Sequence, residues 1–96
     1  MNTKATSEQI EHATRAAYNA RLEAAAADRL SQEGTLDGDE ALRRYDDYIQ
    51  KSSRCTVLER EAARLLRERD GATKGTAQDL VAREMDRLTK EADHAE

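Results

Sequence analysis

The stretch Ile49–Glu59, IQKSSRCTVLE, decides whether this chain folds as three helices or four. Nothing in it forbids a helix; Ser52, Ser53 and Thr56 only weaken one. The apolar residues on either side disagree about which face is buried. Leu42, Tyr45 and Ile49 share one helical face, with Ala41 and Tyr48 at its margin. Leu58, Ala62 and Leu65 share another, more than a third of a turn away at about 100° per residue. A straight helix would bury different faces at its two ends. Thr56 and Glu59 also have the spacing of a capping box, in which the threonine hydroxyl accepts from the third amide and the glutamate reaches back. The pattern therefore favours a break, with helices over 39–51 and 57–70. One continuous helix over 39–70 is the alternative.

Outward from this stretch the helical signals are clearer. Thr6 and Gln9 form a capping box for a first helix over 7–32, which Gly34 is placed to end in the left-handed conformation. Asp37 and Glu40 cap the second helix, dressed by Asp39–Arg43, Glu40–Arg44 and Arg43–Asp47 pairs. Gly71 ends the third helix. Thr76, with Asp79 three residues on, starts a fourth over 77–92, whose apolar stripe is Ala77, Val81, Leu88, Ala92 and Ala95, flanked by Leu80 and Met85. The expected architecture is an all-α bundle of about four helices in a single domain, 1–96, with frayed tails at 1–5 and 93–96.

Composition supports that class. The chain has 96 residues, no proline and four glycines, and 38% of it is charged. Of its apolar residues 17 are alanine, and Phe and Trp are absent. A buried alanine contributes roughly 0.8 kcal/mol against roughly 1.5–3 for leucine or isoleucine, so the core is lean. A lean core in a small chain implies a marginally stable monomer, a homo-oligomer or a partner that supplies the missing surface.

Seven of these alanines fall within Ala16–Leu30. Ile10, Ala13, Ala17, Ala20, Ala24, Ala27 and Ser31 recur at alternating intervals of three and four. That is a heptad seam of small residues, and it predicts close approach to another helix, from this chain or from its own copy. A second stripe, Tyr18, Leu22, Ala26 and Leu30, implies a second neighbour.

The net charge of −4 comes from 20 acids and 16 bases. Such a balance argues against a general nucleic-acid binder. Arginine outnumbers lysine twelve to four, which together with the alanine content points to a GC-rich bacterial genome or its mobile elements. The single cysteine, Cys55, cannot form an internal disulfide, so a reducing cytoplasm is expected. No apolar leader and no membrane-spanning run are present.

No catalytic, cofactor or metal set is expected. Glu8 and His12 lie one turn apart, but two ligands do not make a site, and His94 lies in the expected tail. Cys55 has no histidine nearby and suits a small core position. Glu33–Gly34 resembles the end of the Ser/Thr-x-x-x-Glu-Gly/Asn motif of small helical antitoxins of Fic proteins. Arg29 stands where that motif needs a hydroxyl, and the resemblance stops there.

Three features point to binding. Tyr45 and Tyr48 offer large, rigid contact area with polar tips. Arg60, Arg64 and Arg67 line one face of the third helix, followed by Lys74. They are placed to grip phosphates or an acidic surface, or else to form ordinary Glu61–Arg64 and Arg64–Glu68 pairs. The last two helices have a helix-turn-helix outline in which Gln78 could reach bases, although Asp79 and Glu84 would oppose phosphate. The expected function is a non-enzymatic, protein-binding regulator or inhibitor that covers a partner's surface, of the kind found among anti-CRISPR-like and antitoxin-like proteins of phages and plasmids. The alternatives are a dimeric DNA-binding accessory protein and a self-associating structural protein.

Overall fold

The computed structural model describes residues 5–33, 38–71 and 74–94. They form three helices, α1 (Ser7–Gln32), α2 (Gly38–Asp70) and α3 (Ala77–His94), and no strand. Gly34 and Asp37, expected at the first turn, lie outside the described residues. So do 1–4 and 95–96 and the His94 side chain. No described helix is long and apolar enough to cross a membrane.

α1 starts as its sequence dictates. The Thr6 hydroxyl accepts from the Gln9 amide at 3.1 Å, and the Gln9 side chain accepts from the Thr6 amide at 2.8 Å. α3 starts with the same reciprocal pair between Thr76 and Asp79. It runs through His94, two residues beyond the expected end. α2 stops at Gly71, whose φ of 82° is the left-handed conformation that glycine adopts without strain.

The break expected between helices at 51 and 57 does not occur: α2 is continuous over 33 residues, about 50 Å. Thr56 is not a cap; its hydroxyl donates to the Ser52 carbonyl one turn back, at 3.1 Å. The two apolar faces conflict only if both are buried, and they are not. The face α2 turns to α1 is a third one: Tyr48, Ser52, Cys55, Glu59, Ala62 and Leu66, spaced four, three, four, three and four. Cys55, Glu59, Ala62 and Leu66 are buried, and Tyr48 and Ser52 are half-buried. Two polar members, Ser52 and Glu59, interrupt this heptad seam and conceal it from a hydrophobic pattern.

Glu59 can be buried because Arg21 reaches it from α1. The guanidinium donates to both carboxylate oxygens at 2.8 Å. Around this bridge the small residues of α1 meet α2. Ile10, Ala17, Ala20 and Ala27 are buried and Ala13 and Ala24 half-buried. At the far end Arg44 donates to the Leu30 carbonyl at 3.0 Å, beside the longer bond that this carbonyl accepts from the Glu33 amide at 3.4 Å, and so ties α2 to the end of α1.

α3 covers one end of this antiparallel pair. Leu80 joins Ile10, Ala63 and Leu66 in one core cluster, and Val81 joins Ala17 and Ala62 in another. No member of either cluster, nor any residue packed against them, lies beyond Ala17 on α1 or before Leu58 on α2. Arg69 fastens α3 by donating to both oxygens of Glu84, at 2.8 and 2.9 Å. Arg87, one turn along, donates to the same carboxylate.

Glu84 is only 5% exposed, and hydrogen bonds from Arg69, then from Arg87, outweigh the cost of burial and hold its carboxyl down at about 2. A carboxyl depressed in the folded state contributes stability above its unfolded value near 4.5. That contribution is lost as pH falls through 4.5 toward 2. Between pH values of about 6 and about 3 the wild type should therefore lose about 2 kcal/mol that Glu84→Gln does not lose, measured by urea unfolding at each pH. Equal losses in the two proteins would contradict this role for Glu84.

Candidate functional site: an open apolar stripe on α2

α2 carries a second seam beside the one that meets α1. Leu42, Tyr45, Ile49, Ser52, Thr56, Glu59, Ala63 and Leu66 again alternate three and four, so they form one continuous stripe. Tyr45 and Ala63 are 18 residues apart, about five full turns, and so point the same way. At the C-terminal end this stripe receives α3, through Ala63 and Leu66 against Leu80. At the N-terminal end α3 does not reach it. Leu42, Tyr45 and Ile49 are 63, 55 and 42% exposed.

These residues were expected to be the buried face of a short helix, with Tyr48 at its margin. The structure reverses the assignment: Tyr48 and Ala41 are half-buried, and Leu42, Tyr45 and Ile49 are exposed. The cause is the continuity of α2. The seam that meets α1 is set by Cys55, Glu59, Ala62 and Leu66, and extending it without a break brings Tyr48, not Tyr45, against α1. The two rings keep contact, with centroids 6.5 Å apart and planes tilted by 55°, so Tyr48 helps to hold Tyr45 in place.

The open stripe has a charged edge. Asp39 and Asp46 are seven residues apart, about 10 Å along the helix, and each neighbours Leu42 or Ile49 at helical spacing. Of the pairs expected to neutralise this region, Glu40–Arg44 forms, at 3.4 Å, and among the described residues Asp39–Arg43 and Arg43–Asp47 do not. Arg43 turns to Glu40 at 3.8 Å, and Asp47 pairs with Lys51 at 3.0 Å. Asp39 and Asp46 make no ion pair among the described residues. On α1, of the second stripe Tyr18, Leu22 and Leu30 are 37, 53 and 49% exposed and Ala26 is half-buried.

The arginine row is dispersed in its bonding. Arg64 is clamped between Glu61 and Glu68 at 2.6 and 2.8 Å, the ordinary pairing that its spacing allowed. Arg67 donates to the Gly75 carbonyl, and Arg83 donates to the Lys74 carbonyl, so both hold the turn before α3. Arg60 is exposed and makes no ion pair among the described residues. Asp79 is engaged in the cap of α3, and Gln78 is exposed.

Sequence reasoning missed the two bridging arginines, Arg21 and Arg69. Arg21 lies outside the alanine seam, and only the regular spacing of Glu59 with Ser52 and Leu66 marked its carboxylate as inward-facing. Cys55 is buried, and burial, then the neighbouring Glu59 charge, pushes its thiol up. Among the described residues no cluster of His, Cys, Asp or Glu could hold a metal ion. No family model, curated protein or solved structure matches the chain.

An open stripe predicts unequal roles for the two tyrosines. Tyr45→Ala should change stability by no more than about 0.5 kcal/mol. Tyr48→Ala, which removes a ring lying against α1, should cost at least about 1–2 kcal/mol by urea unfolding. Equal costs would contradict the assignment of faces.

Proposed function

We propose that this chain is a non-enzymatic binding protein that regulates or inhibits a partner protein by covering part of its surface. The observation that carries the reading is the exposure of Leu42, Tyr45 and Ile49 on a rigid helix, in a chain with few large apolar side chains to spare. Interface cores favour aromatic and aliphatic anchors and are depleted of charge, and a stripe of three apolar and two hydroxyl residues on an otherwise densely charged helix fits that description. The exposed Tyr18, Leu22 and Leu30 extend the accessible apolar surface around the free end of the hairpin.

Several features weigh against chemistry or nucleic acid as the main business of the molecule. The cysteine is buried with a raised thiol. The arginines that could address phosphate are largely committed, Arg64 to two glutamates and Arg67 and Arg83 to backbone carbonyls. Size, composition and an all-helical body place the protein by analogy with small regulators of phage and plasmid origin, anti-CRISPR-like or antitoxin-like, acting in the cytoplasm. Analogy of fold class alone does not select among them.

Affinity capture from a bacterial lysate with the immobilised chain, followed by mass spectrometry, tests the proposal. One protein should be retained in stoichiometric amount, and it should stay bound as salt is raised, since an apolar contact is not screened. Retention of nucleic acid instead, weakening steeply with salt, would replace this reading with the DNA-binding one. Retention of nothing from lysates of plausible hosts would contradict it.

A further inference from the structure

We infer that the open half of α2 is a seat for an amphipathic helix of the partner, one that carries two basic residues seven apart along the flank of its apolar stripe. This rests on the reading of the chain as a protein-binding molecule and names what that molecule grips.

The shape of the occupant follows from the other half of the same stripe. Ala63 and Leu66 already hold a helix, α3, through Leu80. Leu42, Tyr45, Ile49 and Thr56 continue that stripe in register and are exposed, with half-buried Ser52 at its α1 edge, and none of the five is charged. A seat that spans about 21 Å, from Leu42 to Thr56, suits about four turns of helix laid along α2. The direction of α3 leaves it open: Leu80 and Val81 at its start meet Ala62, Ala63 and Leu66, while Glu84, Arg87 and Leu88 lie by Arg69 and the start of α1, away from the seat.

Charge selects among helices. The outer edge of α2 reads Asp39, Asp46, Ser53, Arg60 and Arg67 at every seventh position, acidic beside the open seat and basic beside α3. Both aspartates lack an ion pair among the described residues, whereas Arg67 is bonded to the turn that leads into α3. An occupant with Lys or Arg on the facing flank neutralises Asp39 and Asp46 together. One with Glu there is repelled. A second copy that docks by the same stripe would bring four aspartates into one interface, so this edge disfavours self-association through the seat.

Two labelled helical peptides test the inference against the full chain by fluorescence anisotropy. They share one apolar stripe and differ only in carrying Lys or Glu at two flank positions seven apart. The Lys peptide should bind about fivefold more tightly than the Glu peptide at low salt, as two exposed pairs would give. The preference should largely vanish with Asp39→Asn/Asp46→Asn, and Ile49→Asp should abolish binding of both while the circular dichroism stays that of the wild type. Equal affinities, no binding of either peptide, a Lys preference that survives the double substitution, or sedimentation of the chain as a dimer dissociated by Ile49→Asp would each overturn the inference. A protein captured from lysate equally well by wild type and Ile49→Asp would overturn it too, while leaving the proposed function intact.

Discussion

Everything in this fold depends on how closely α1 can approach α2. Ala17, Ala20 and Ala27 are buried along the seam and put little more than methyl groups between the two backbones, and Ala62 answers Ala17 from the other side. Such a seam brings helices to the near end of the usual 8–10 Å separation. It yields little transfer free energy per residue, so the pair must be long to hold together. Length is what the sequence supplies: 26 residues in α1 and 33 in α2. The continuity of α2 is thus part of how a lean core suffices.

Polar bridges do the work that larger side chains would do elsewhere. Arg21 ties α1 to α2 through Glu59, and Arg69 ties α2 to α3 through Glu84, each with both carboxylate oxygens engaged. The exposed side of each guanidinium stays hydrated, which limits the desolvation cost that fully buried pairs incur. The geometry also sets register. Sliding α1 along α2 by one residue would strand the Glu59 carboxylate among small apolar neighbours without its partner, which is far costlier than a shifted methyl contact.

The starts of α1 and α3 and the end of α2 were legible because caps are local chemistry. Thr6 with Gln9 and Thr76 with Asp79 act within four residues of chain, and Gly71 supplies its own conformation. The small-residue seam of α1 was legible because all its members but Ser31 are apolar. The middle of α2 was not, because its inward positions include Ser52 and Glu59, while the apolar residues Leu42, Tyr45 and Ile49 face outward. Burial in this segment follows the pairing of a carboxylate across the interface, a tertiary fact with no signature in hydropathy. The open stripe was hidden for the same reason: Leu42, Tyr45 and Ile49, which the pattern assigns to a core, are exposed. The tyrosines were recognised as a pair, but which of them is free depends on the phase of a helix 33 residues long.

Among the described residues α3 closes one end of the hairpin and the other end is a two-helix arm. The proposed seat requires that this arm be a close-packed unit. The direct measurement is urea unfolding of Ala20→Leu. Ala20 is 4% exposed at the seam, and added methylenes there must push α1 off α2, at a cost of about 1–3 kcal/mol. A variant with unchanged or greater stability than the wild type would show that the seam is loose, and the arm would then be no platform for a partner.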